Sequence, residues 1–243
     1  MGLVAMLLAY NCLLVAGYVH RRWKLARPGA PPCPKRLRDA EVAQFGIRQL
    51  ALVGLLAYMF ERGAWTPESV GLRPETPLLE CILAGEIAFL LVVLVNLAIL
   101  RVSGTFRSMR LVAVRGNLRV VPRGRAAKWA MAIFIMVFNP FTEEIVMRGI
   151  LIHQWGLLLG SPAIPIAVGL VLNGALHWYQ GWRMQMWHAL FFCAAVTLLY
   201  SPWGLAASIT AHVFGDVLPL VALRRQLRAA HKARRLALRA RSS

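Results

Sequence analysis

A chain of 243 residues that is 58% hydrophobic, with a mean hydropathy of +0.58 and its apolar residues in unbroken blocks, falls outside the class of ordinary soluble domains. Its net charge of +18, from 28 Lys and Arg against 10 Asp and Glu, would suggest nucleic acid in a soluble protein. No nucleic-acid-binding motif accompanies that charge, and its placement along the chain answers to a bilayer instead.

The expected fold class is all-α, a multi-spanning helical membrane protein of about seven transmembrane helices. Spans are expected at 2–19, 46–60, 77–100, 129–151, 163–180, 184–200 and 203–223. Most approach the roughly 20 residues that cross about 30 Å of hydrocarbon. The first lacks a basic leading region and runs directly into His20, Arg21 and Arg22, so it reads as an uncleaved anchor with its start outside. The Pro-rich, basic stretch 25–38 suits an extended linker. The block 46–60 is short and carries Arg48, which leaves both a span and an interfacial helix open. Within 101–128, LVAV and LRVV separated by RGN suggest a short hairpin or an interfacial element. The tail 224–243 is basic enough to lie along anionic headgroups. No internal repeat is visible. The chain divides into N-terminal membrane helices with basic loops (1–128), a membrane core (129–223) and the tail (224–243).

With the N-terminus outside, the alternate loops 20–45, 101–128, 181–183 and 224–243 hold 24 of the 28 Lys and Arg. The opposite loops hold only Arg62 and Arg73, and the remaining two are Arg48 and Arg148. This is the positive-inside distribution, and it predicts a cytoplasmic C-terminus. Cys12, Cys81 and Cys193 sit in apolar blocks and Cys33 in a basic loop, with no CxxC pair, so neither a disulfide framework nor a zinc knuckle is expected.

Five of the ten acidic residues, Glu80, Glu86, Glu143, Glu144 and Asp216, fall within the apolar blocks. A central charge costs about 2.5 to 3.5 kcal/mol on insertion scales, so clusters of such residues point to function. The richest cluster is Asn139-Pro140-Phe141-Thr142-Glu143-Glu144-Ile145-Val146-Met147-Arg148-Gly149, where Pro140 should kink or restart the helix. Residues four apart share a helical face, so Glu144 and Arg148 can pair, while Glu143 points about 100° away and is free to act as a base. A structural ion pair and a support for catalysis both remain open for Glu144 and Arg148. Two later blocks add Asn173 with His177, and His212 with Asp216 one turn further on, so three helices can converge on one polar pocket. Glu80 and Glu86 match no motif, and His153 and His188 read as interfacial or packing residues.

The order E-E-x-x-x-R (Glu143, Glu144, Arg148), a histidine on the next span (His177), then H-x-x-x-D (His212, Asp216) resembles the CPBP family of CAAX-type intramembrane glutamic proteases. Met147-Arg148-Gly149 is close to that family's Phe-Arg-Gly, and the resemblance covers roughly 129–220. Asn173 stands where the family usually has phenylalanine, and Asp216 where asparagine is commoner. The resemblance implies Glu143 as general base on a water nucleophile, His177 orienting that water, and His212 with Asp216 as the oxyanion-stabilising pair. Glu144 and Arg148 complete the implied catalytic set. An ionised Asp216 cannot donate, so it is either protonated or fixes the His212 tautomer.

The implied substrate is a membrane protein or lipid-associated peptide met within the bilayer, with no cofactor and no nucleic acid. The expected location is the bacterial inner membrane. Four other readings stay in view: a non-catalytic, immunity-like or regulatory protein of the same fold, an ion or proton transporter, a metal held by Glu143, Glu144, His177 and His212, and a Ser208–His212 dyad. The dyad lacks a nucleophile turn, the transporter lacks an inverted repeat, and H-E-x-x-H is absent.

Overall fold

The computed structural model describes residue 20 and residues 35–103, 124–178 and 182–217. The expected first span, the hairpin within 101–128, linker residues 25–34 and the tail 224–243 lie outside these described residues. Among the described residues all regular elements are helical and there is no strand.

Helix α1 is Lys35–Glu61. Linker residues 35–38 are therefore helical rather than extended, because the prolines end at Pro34 and Lys, Arg and Leu are good helix formers. Its Ala43–Glu61 portion is long and apolar enough to cross a membrane, so the block 46–60 belongs to a helix of spanning length. A single 3₁₀ turn, Glu68–Val70, closes on Gly71 in the left-handed region and leads to α2, Leu78–Val102. In α2 the buried residues Cys81, Gly85, Phe89, Val92, Asn96 and Leu100 recur every three or four positions and form one stripe. Leu79, Leu83, Ile87, Leu90 and Leu94 are exposed on the same helix. Such a row suits hydrocarbon and would aggregate in water.

Helix α3 runs continuously over Arg125–Leu159, well beyond the expected 129–151, and is also long and apolar enough to span. Pro140 does not break it. Instead the turns at Phe134–Phe138, just before the proline, and at Ile145–Gln154 widen to π-helical winding. The wider turn re-routes backbone bonds around a residue that has no N–H to give. Gly160, with φ 66°, ends α3, and Pro162 sits immediately before α4, Ala163–His177. Helix α5 is Trp182–Leu199, and α6 occupies 204–217. By length and composition α1, α2 and α3 can cross a membrane, while α4 and the Met184–Leu199 part of α5 are shorter apolar helices.

Two apolar cores hold these helices together. One joins Leu56, Ile145, Ile152, Phe192, Leu199 and Leu205 around Val70, and the other joins Cys81, Phe89 and Val92 to Phe191, Leu198, Ala207 and Ala211. Two glycines set how closely the helices approach. A Cβ at Gly149 would lie 2.8 Å from the Val70 carbonyl oxygen, which gives the Arg-Gly pair in α3 a packing reason. A Cβ at Gly85 would lie 2.5 Å from the Ala207 carbonyl and 2.9 Å from the Ala211 nitrogen, both backbone atoms that cannot swing away. Gly85→Val is therefore expected to pry α2 from α6 and destabilise the protein by about 1 to 3 kcal/mol, read as a lower thermal midpoint in detergent. An unchanged midpoint would show that the two helices do not touch there.

Candidate active site

The site is assembled on α3 and completed by α1, α4, α5 and α6. Glu144 is fully buried, with 0% of its surface exposed, and Arg148, four residues on, is 1% exposed. The Arg148 Nη1 to Glu144 Oε1 distance is 3.2 Å, which bears out the pairing expected from helical spacing. The guanidinium also lies over the Phe192 ring at 5.0 Å, where the ring face favours a cation. Two further groups converge on Glu144 from α6. Ser208 Oγ donates to Oε2 at 2.5 Å, and His212 Nδ1 lies 2.7 Å from Oε1. Both carboxylate oxygens of Glu144 are thus engaged by donors, as burial of a charge demands.

This arrangement bears on two readings that the sequence left open. The group that fixes the His212 ring at hydrogen-bond distance is Glu144 rather than Asp216, whose Oδ2 is 3.7 Å from His212 Nε2. Asp216 Oδ2 has no hydrogen-bond partner among the described residues. The Ser208 hydroxyl is committed to Glu144 and so is not poised as a nucleophile toward His212. Phe191 packs edge-on against the His212 ring at 5.4 Å and restricts its rotation.

Glu143 has a different environment from its neighbour. It is half-buried, accepts one hydrogen bond from Asn139 Nδ2 at 3.2 Å, and interacts electrostatically with His212, His177 and Arg148. His177 Nδ1 is 2.9 Å from the Asn173 carbonyl one turn earlier in α4. A carbonyl only accepts, so Nδ1 carries the hydrogen, and the Nε2 of the neutral ring keeps its lone pair.

Two contributors were not singled out as site residues from sequence. His188, on α5, stacks on His177 with ring centroids 3.7 Å apart and planes inclined by 20°, and it interacts electrostatically with both His177 and His212. Gln49, on α1 and 1% exposed, donates from Nε2 to Asn139 Oδ1 at 2.9 Å, while Thr142 Oγ1 donates to its Oε1 at 2.5 Å. His188 lies eleven residues after His177 but on a different helix, so no period within one helix records their pairing. Gln49 had a weak one, as an amide within an apolar block. No group of three or more His, Cys, Asp or Glu among the described residues is arranged to hold a metal ion.

Buried Glu, Arg and His side chains from several helices, in a bundle with three helices of spanning length, define an integral membrane protein with a chemically equipped interior. Residues 125–218 match the Rce1-like family, described as type II CAAX prenyl endopeptidase Rce1-like. The resemblance carried by the three motifs is therefore found, over a segment that contains Glu143, Glu144, Arg148, His177, His212 and Asp216. No curated protein and no solved structure matches the chain.

Proposed function

We propose that this chain is an intramembrane endopeptidase in which Glu143 activates a water molecule for attack on a peptide bond of a membrane-associated protein or peptide. The observation that carries the reading is the contrast between two adjacent carboxylates. Glu144 is enclosed by Arg148, His212 and Ser208, whereas Glu143 is half-buried, keeps spare acceptor capacity and interacts with two imidazoles. The match of residues 125–218 to an endopeptidase family supports the same chemistry.

In the proposed reaction Glu143 takes a proton from water as the hydroxide adds to the substrate carbonyl carbon. His177 Nε2 accepts a hydrogen bond from that water and orients it. In its charged form His212 carries N–H on both nitrogens: Nδ1–H stays on Glu144, and Nε2–H is offered to the developing oxyanion. Asp216, beside Nε2, balances the imidazolium charge. Glu143 then returns its proton to the departing amine as the C–N bond breaks. Arg148 acts on this chemistry through Glu144, by holding the carboxylate that holds His212.

The reading keeps residues 129–223 as the catalytic core and a seven-span topology with cytoplasmic C-terminus in a bacterial inner membrane. Prenylated CAAX proteins are the first substrate class to test. The decisive experiment is cleavage of a farnesylated Cys-a-a-X peptide by the purified protein in liposomes, with membrane-protein terminal proteomics covering other substrates. Hydrolysis by the wild type and none by Glu143→Gln supports the proposal. If Glu143→Gln leaves the cellular phenotype intact while deletion abolishes it, a partner-binding role replaces it.

A further inference from the structure

Gln49 lies outside the segment that resembles the endopeptidases, on a helix to which the motifs assign no role. A primary amide at 1% exposure inside an apolar helix is costly unless its donors and acceptor are met, and here both ends are met by α3. The contacts form a line: Thr142 Oγ1 to Gln49 Oε1, Gln49 Nε2 to Asn139 Oδ1, and Asn139 Nδ2 to Glu143 Oε2. Its last member is the carboxylate on which the proposed hydrolysis depends.

The chemistry of each group gives the line a direction. An amide side chain is nearly symmetric in shape, so its orientation follows from its partners. The Gln49 NH₂ can only donate, so the atom of Asn139 facing it must be the oxygen, and the Asn139 NH₂ is left for the carboxylates. That NH₂ serves Glu143 at 3.2 Å and also reaches the Asp216 carboxyl. Without Gln49 the Asn139 amide loses the contact that selects this orientation, and its oxygen is free to turn toward Glu143, where two acceptors repel.

Resting on the endopeptidase reading, we infer that Gln49 is a positioning residue that orients the Glu143 carboxylate through Asn139, which makes α1 part of the active site. The line can also run the other way. Thr142 Oγ1 lies 2.8 Å from the Phe138 carbonyl, so its hydrogen has a second acceptor. If it turns there, both amides can flip together and present the Asn139 oxygen to Glu143, an arrangement that fits only a protonated Glu143. One relay thus accommodates the ionised base before proton transfer and the neutral acid after it, without leaving a buried amide unpaired.

The test uses the full chain in liposomes with the farnesylated Cys-a-a-X peptide. Gln49→Met, which keeps the length of the side chain and removes its polar atoms, is expected to lower kcat roughly tenfold with KM unchanged, as a small misplacement of a reacting group would. In an Asn139→Ala background the same change is expected to have no further effect, because the link to Glu143 is already gone. A purely structural Gln49 would instead lower the thermal midpoint and leave kcat of the folded fraction intact. Wild-type kcat in Gln49→Met, or independent effects of the two substitutions, would overturn the inference. Should Gln49→Met fail to fold, Thr142→Val removes the donor from the far end of the line and is expected to lower kcat in the same sense.

A substrate-free reading separates this inference from the functional proposal. The Glu143 carboxyl band, isolated as the infrared difference between wild type and Glu143→Gln, is expected to shift in Gln49→Met. If the wild type hydrolyses nothing, the functional proposal falls while a shifted band keeps the relay. An unmoved band removes the relay whatever the activity.

Discussion

Glu143→Gln should lower hydrolysis by about 10² to 10⁴-fold, the usual contribution of a positioned general base, while the bundle stays folded. The substitution preserves volume and removes the group that accepts a proton. It should also be tolerated structurally, because Glu143 is half-buried and the hydrogen bond it takes from Asn139 Nδ2 can be accepted equally by a glutamine oxygen. The check is a progress curve in liposomes beside a thermal midpoint in detergent. Retained activity would remove Glu143 from the mechanism, whereas lost activity with a collapsed midpoint would make it a structural residue.

For Arg148→Ala the expected loss is in stability, about 3 to 5 kcal/mol, because it leaves the carboxylate of Glu144 buried without its cation. Glu144 and Arg148 are 0% and 1% exposed, so water cannot compensate either one. Pairing Arg148→Met with Glu144→Gln should recover a large part of the loss, since the cost lies in the unpaired charge more than in the missing contact. Equilibrium unfolding in mixed micelles measures both. A single-variant loss below about 1 kcal/mol would mean that the pair behaves like a surface ion pair. Activity should not return in the double variant, because a neutral amide in place of the Glu144 carboxylate cannot hold His212 Nδ1–H as a charged acceptor does. The two neighbouring glutamates are thus expected to fail in different ways.

Helical spacing made a specific part of this site legible. Glu144 with Arg148 and His212 with Asp216 are each four apart, and both pairs meet, although the second at 3.7 Å is a charge contact rather than a hydrogen bond. Apolar blocks likewise marked α2 and α3 as spans, though α3 extends further than its expected boundaries. Contacts between helices were not legible. Glu144 takes Ser208 from 64 residues away, and Thr142 takes Gln49 from 93 residues away. No local period records which faces of two helices meet. The contact of His212 with Glu144 escaped the sequence for the same reason: a neighbour on its own helix was visible there, and one across the bundle was not. Pro140 was read correctly as a disturbance, but its outcome depended on how the preceding turns could widen.

Those widened turns carry a consequence for how the protein tolerates changes in length. An α-helix turns each residue by about 100°, and a π-helical turn winds more slowly, so the stretch Phe134–Phe138 sets the angular phase of everything after it in α3. Loss of one residue there would let the segment relax to ordinary winding with little change of phase, because a π turn is an ordinary turn carrying about one extra residue. Loss of one residue from the α-helical turns Arg125–Ile133 would instead swing Glu143, Glu144 and Arg148 together by about 100° around the helix axis. No side chain of the cluster need be altered for the cluster to be dismantled. In descendants of this chain, a residue lost from Phe134–Phe138 should therefore be better tolerated than one lost from the α-helical turns on either side of it.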